Sequence, residues 1–197
     1  MMINKIKYSI IILLVLASFT GCQDDEAVTA SVDSMVSEPG DLLNQTYPLK
    51  QIRVEGEGLS GLKKITLDNK IDISFNPNHN SDKAFIFTIP FDDKLGSRFG
   101  LQPITFETAS GTVTKNIEIL QPTPTIIKTV PAVATPGFPL SIEGTWFYNI
   151  SSVTVGGKAV SYTLVSSSSI IFGLPSNTVS GAELAITTPG GTAKKSI

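Results

Sequence analysis

Along most of this chain apolar residues recur at every second position in short runs, and the runs are broken by Gly, Pro, Asn and Asp. Ile65 and Leu67 alternate with polar neighbours, as do Ile71, Ile73 and Phe75. A period of two puts one set of side chains on one face of a pleated strand, so each run predicts a half-buried strand. Phe85, Phe87 and Ile89 form another inward set, matched later by Phe172 and Leu174. Pro90 and Pro175 end those strands, because proline cannot donate to a ladder. Asp68-Asn69 and Gly156-Gly157 stand between such runs and tolerate positive φ, which suits a two-residue hairpin turn. Strands at a spacing of about 8–12 residues with turn signals between them predict an all-β architecture of sandwiches. Ile10 to Leu16 breaks the pattern as a continuous apolar run behind Asn4, Lys5 and Lys7. A membrane-spanning helix takes about 20 apolar residues, and this run has instead the length of a signal-peptide core.

The strand pattern is written twice. Val54-Glu55-Gly56 returns 88 positions later as Ile142-Glu143-Gly144, and Ile65 to Lys70 returns at the same offset as Val153 to Lys158. Phe85 to Pro90 aligns with Ile170 to Pro175, and Thr108 to Thr112 with Thr188 to Thr192. Four blocks in one order mark a duplication, so the chain divides into a unit at 30–121 and a second at 122–197. Leu120 to Thr125, with its prolines, reads as a short stiff linker between them. In this alignment Ile197 corresponds to Ile117, so the chain is expected to stop about three residues before its last strand ends.

Composition narrows the function classes. Lys and Arg number 15 against 17 Asp and Glu, and without Lys5 and Lys7 the balance is 13 to 17. Such a chain has no basic stripe to neutralise phosphates, which excludes nucleic-acid binding. Cys22 is the single cysteine, so no intrachain disulfide forms. Its setting explains it. Phe19-Thr20-Gly21-Cys22 resembles a lipobox, with Phe19 in place of the usual leucine. The resemblance implies a signal peptide at 1–21, cleavage before Cys22, and acylation of its thiol and new amine. Several acyl chains on one residue anchor stably, at about 0.8 kcal/mol per buried methylene. Gln23, Asp24, Asp25 and Glu26 follow within a tether at 22–29. They resemble the acidic export signal that carries Bacteroidota lipoproteins to the outer face of the outer membrane; the alternative is a solvated acidic tether on a periplasmic protein.

The second unit also resembles a known family. Pro124-Thr125-Ile126, Pro136-Gly137, Leu140 to Phe147, Val153 to Ala159, Leu174-Pro175 and Thr188 to Thr192 look like an IPT/TIG domain, an immunoglobulin-like sandwich. The first unit is a more divergent match: Asp68-Asn69 replaces a glycine pair, and Leu59 stands where Phe147 does. A lipid anchor followed by tandem IPT/TIG units resembles the N-terminal part of surface glycan-binding proteins of starch-utilisation-type systems. That resemblance implies a non-enzymatic, cell-surface role accessory to polysaccharide binding and uptake beside an outer-membrane glycan transporter. The alternative is a protein-interaction or adhesion module at the outer membrane.

Candidate chemistry is sparse. His79 is the single histidine and lies in the oxygen-rich stretch Asn76 to Asp82. That stretch lacks the alternating acids and bidentate glutamate of a dedicated calcium loop and reads as a solvated turn. Asp92 and Asp93 are adjacent, so on a strand they face opposite ways and read as part of a turn. Ser166 to Ser169 and Ser176 to Ser180 have no neighbouring base, and Thr188 to Thr192 lacks the lysine of a phosphate loop. No catalytic residue, metal site or cofactor is expected. Trp146 and Tyr148 are the one suggestive cluster. With Phe147 in the core and the segment extended, both rings point outward. They then serve either as a platform for a glycan or as packing between domains.

Overall fold

A computed structural model of the chain describes residues 29–37, 43–91 and 99–197. The signal peptide at 1–21, Cys22, the acidic residues Gln23, Asp24, Asp25 and Glu26, and the Asp92-Asp93 pair lie outside the described residues.

The alternating segments are strands. In the first unit β1 (Ser31–Val36), β3 (Gln51–Glu57) and β6 (Ala84–Thr88) pair antiparallel, in the order β1-β3-β6. Against them lies a second sheet made of β2 (Gln45–Thr46), β4 (Lys64–Leu67), β5 (Ile71–Asp72), β7 (Gly100–Thr108) and β8 (Gly111–Ile119). Its order is β2-β8-β7-β4-β5, with β2 parallel to β8. The faces turned together bury one continuous core running from Val32 to Ile119, including Phe85, Phe87 and Phe106. Phe85 and Phe106 meet edge to face across the sheets at 5.2 Å. A pair in that geometry contributes about 0.5–1.5 kcal/mol beyond area burial.

The second unit repeats the plan. One sheet holds β9 (Thr125–Val130), β10 (Pro139–Thr145), β13 (Tyr162–Ser166) and β14 (Ser169–Gly173), in the order β13-β14-β10-β9. The other holds β11 (Ser152–Val155), β12 (Lys158–Ala159), β15 (Glu183–Thr188) and β16 (Gly191–Ser196), in the order β12-β11-β15-β16. A separate core runs from Leu140 to Ile186, with Ile197 packed partly buried against it. The molecule is therefore all-β, two sandwiches in tandem.

The repeated blocks fall on equivalent strands for identifiable reasons. A Cβ on Gly56 would lie 2.0 Å from the Ser31 carbonyl oxygen, and one on Gly144 would lie 2.0 Å from that of Thr125. Each glycine sits where the register of the neighbouring first strand shifts, between Val32 and Ser34 in one unit and beside Gly144 in the other. Bare backbone is what lets the bulged strand approach. Thr108 and Thr188 are buried alike; each donates to the carbonyl of a glycine three residues on, Gly111 and Gly191, and accepts from the amide of Ser110 or Gly190.

Two expectations need amending. Asp68 and Asn69 have φ of 50° and 53°, and Gly156 and Gly157 have 56° and 77°. The glycine pair closes a two-residue hairpin between Val155 and Lys158. In the first unit the ladder runs Leu67↔Ile71, which leaves Asp68, Asn69 and Lys70 in the loop. Residues 120–124 also form more than a spacer. Gln121 is only 7% exposed, Thr123 Oγ1 donates to the Gly190 carbonyl at 2.7 Å, and Gly190 has no room for a side chain beneath Gln121 and Pro122. The linker lies packed on the β15–β16 turn.

Candidate functional site

The residues singled out by sequence, Trp146 and Tyr148, sit where the linker and both sandwiches meet. β10 ends at Thr145, and Trp146 then takes φ 60°, so the segment does not continue extended. A bulky residue in the left-handed region costs of order 1–3 kcal/mol and persists only where its surroundings hold it. Several bonds do so. Gly144 N–H donates to the Ser168 carbonyl at 2.9 Å and Phe147 N–H to the Ser167 carbonyl at 2.8 Å. Gln121 Nε2 donates to the carbonyls of Trp146 and Tyr148 at 3.3 and 2.8 Å. Phe147 is fully buried, as expected of it, and so is Leu59 at the equivalent place.

The change of backbone direction turns both flanking rings towards the first sandwich. There they meet Phe91, just past Pro90, and Phe99, just before β7, two residues that the sequence pattern did not single out. Phe91 lies 5.1 Å from Trp146 and 5.6 Å from Tyr148, centroid to centroid, both edge to face. Phe99 lies 5.5 Å from Tyr148 and 6.5 Å from Trp146, and stacks on Phe91 at 5.8 Å. Four rings from two domains thus interlock around a linker whose glutamine clasps two of their carbonyls. Domain packing, one of the two roles open to Trp146 and Tyr148, is what this geometry provides.

Beside the junction is an open cleft of about 260 Å³, lined by Phe91, Thr145, Trp146, Tyr148, Ser167 and Ser168. Ser167 and Ser168 form the β13–β14 turn, which gives the central serine tract its place. His79 ends a short 3-10 turn (Pro77–His79) in which Asn76 Oδ1 accepts from the Asn78 amide at 3.0 Å. Among the described residues no three His, Cys, Asp or Glu side chains cluster as metal ligands, and no helix is long and apolar enough to cross a membrane.

Residues 124–196 match the family described as IPT/TIG domain. The second sandwich is an IPT/TIG domain. Across both sandwiches the chain is similar to the surface glycan-binding protein PbSGBP-B from Prevotella bryantii, at 17% identity and a TM-score of 0.59, covering 85% of this chain and 41% of that one. It is likewise similar to a structure solved with a xylogluco-oligosaccharide, at 21% identity and a TM-score of 0.55, covering 86% and 41%. At such identities the likeness speaks for the fold, and the IPT/TIG-bearing chain spans about two-fifths of the length of either neighbour. Comparison with curated protein sequences gives no significant match.

Proposed function

We propose that this chain is a lipid-anchored, surface-exposed module of a glycan-uptake system, in which two locked sandwiches hold a glycan-binding function at a set distance from the outer membrane. The observation that carries the reading is the junction: four interlocked rings and the Gln121 clasp pack the sandwiches against each other, as a stiff strut requires. A spacer needs that stiffness, because a freely jointed linker would let the outer module sample all directions. The fold shared with glycan-binding surface proteins supports the same reading. So does the lipobox resemblance at Cys22 with the acidic residues behind it. The role proposed is non-enzymatic, in keeping with the fold shared with a surface glycan-binding protein.

Three measurements test it. Metabolic palmitate labelling is expected to follow Cys22 and vanish in Cys22→Ala. Protease shaving of intact cells is expected to remove the protein; full protection would place it on the periplasmic side. Native-gel retardation across a polysaccharide panel, with co-purification of an outer-membrane glycan transporter, is expected to succeed for the protein as expressed in its own cell. A partner that is instead a host surface protein would favour the adhesion reading.

A further inference from the structure

We propose that the cleft beside the aromatic junction is a subsite for a single pyranose unit of a neutral glycan chain. The inference rests on the glycan reading above and deepens it by placing a contact in the strut itself. The lining has two chemistries. Phe91, Trp146 and Tyr148 present apolar ring surface, while Ser167 and Ser168 bring hydroxyls and Thr145 one that it shares with Thr125 at 2.7 Å. A pyranose needs that combination: its C–H face packs on an aromatic ring, and its hydroxyls meet groups able both to donate and to accept. None of the six residues carries a charge, so nothing there compensates a sulfate or uronate, and a neutral sugar fits best. At about 260 Å³ the cleft lies just below the usual range of small-molecule sites, roughly 300–1,000 Å³. That size suits one ring of a longer chain that continues into solvent through the open side.

The duplication supplies an independent argument. At the offset of 88 that relates β3 to β10, Trp146 corresponds to Gly58. Both take the same left-handed conformation, φ 62° for Gly58 and 60° for Trp146. The fold therefore asks for positive φ at this point, and the first sandwich meets the demand with the residue that does so without strain. The second keeps a tryptophan there at a backbone cost, and its ring forms a wall of the cleft. Strain retained under a large aromatic side chain marks a position held for its ring, which both packs on Phe91 and Phe99 and walls the cleft.

Trp146 is the single tryptophan of the chain, so indole emission reports on the ring that walls this cleft and packs in the junction. The test titrates the whole protein with cello-, xylogluco-, manno- and malto-oligosaccharides, following emission and heat together. At least one series is expected to give a saturable emission change. Ser168→Phe fills the cleft from the exposed β13–β14 turn, leaving every ring of the junction in the chain, and is expected to weaken binding at least tenfold with an unchanged thermal transition. Thr145→Val keeps the volume and removes one hydroxyl, and is expected to weaken it about threefold to tenfold. Heat of binding with no emission change, undiminished in Ser168→Phe, overturns the subsite and leaves the glycan reading standing. Absence of binding to every series also overturns the subsite, while the native-gel and transporter experiments judge the wider reading separately.

Discussion

The two sandwiches share a plan and differ where they meet the outside. In the first, Phe75 makes a lone bridge to Phe87, and the chain then leaves the sheet at Pro77 for the 3-10 turn. In the second, the same edge is completed by β13, paired to β14 through Tyr162↔Phe172 and Thr163↔Ile171. The difference is one of backbone donors, because proline removes the N–H that a continuing strand would need. At the junction the Ser168 and Ser167 carbonyls of the β13–β14 turn hold Gly144 and Phe147. In the first sandwich, Asp82 and Lys83 carbonyls play that part for Leu59 and Gly56. The shared frame thus fixes the backbone around the ends of β3 and β10, and the side chains laid on it differ: Gly58, Leu59 and Ser60 in one, Trp146, Phe147 and Tyr148 in the other.

The comparison is broken hardest by removing core aromatics one unit at a time. Phe106→Ala and Phe147→Ala each delete a fully buried ring and should cost about 3–5 kcal/mol. Differential scanning calorimetry should show each variant lowering the transition of its own sandwich, since the cores share no residue. The junction should pass only a fraction of the loss to the neighbour.

Next come the paired glycines. Gly56→Ala and Gly144→Ala both drive a methyl into a carbonyl oxygen, and at Gly144 the methyl also meets Phe147 Cζ at 2.4 Å. Strand approach and core packing are then disturbed together. Gly144→Ala is expected to destabilise by about 3 kcal/mol and Gly56→Ala by somewhat less, within the range for overpacked sites. Urea unfolding of each variant measures the order.

Trp146 separates backbone demand from side-chain contact. Trp146→Ala and Trp146→Gly lose the same ring contacts, but only glycine relaxes φ 60°. Trp146→Gly should therefore be more stable than Trp146→Ala by about 1 kcal/mol. Small-angle scattering should show both variants with a broadened distribution of end-to-end distances, as loss of the interlocked rings frees the hinge.

These positions also show what the sequence could and could not tell. Period-two alternation is a local signal, so the inward sets at Ile65–Leu67, Phe85–Phe87 and Phe172–Leu174 were legible and all are buried. The duplication placed Leu59 and Phe147 in the two cores. Phe91 and Phe99 were passed over because their partners lie in the other sandwich, and no periodicity within one unit records such a contact. An extended segment at Trp146 was the condition for outward rings, and the alignment holds the residue that argues against it, Gly58 at the same register. A glycine facing a tryptophan across a duplication signals a shared positive φ, and the three-residue loop after Leu67 would have needed the ladder itself to be seen.

The smallest expected effect concerns surface charge on the first sandwich. Lys64 Nζ lies 3.0 Å from Asp72 Oδ1. The hydrogen bond to that carboxylate, and then its charge, hold the ammonium above its ordinary pKa of 10.5. A pKa raised in the folded state contributes stability that is fully present below the unfolded value and is lost as pH rises through the folded one. Comparing wild type with Asp72→Asn by thermal unfolding, the first sandwich's small advantage should hold at pH 8 and fade as the pH passes 10.5. Both groups are largely exposed, so the advantage should also shrink in 1 M salt, where the screening length falls to about 3 Å. A difference that survives alkaline pH and high salt alike would assign Asp72 a packing role in the β4–β5 hairpin in place of an electrostatic one.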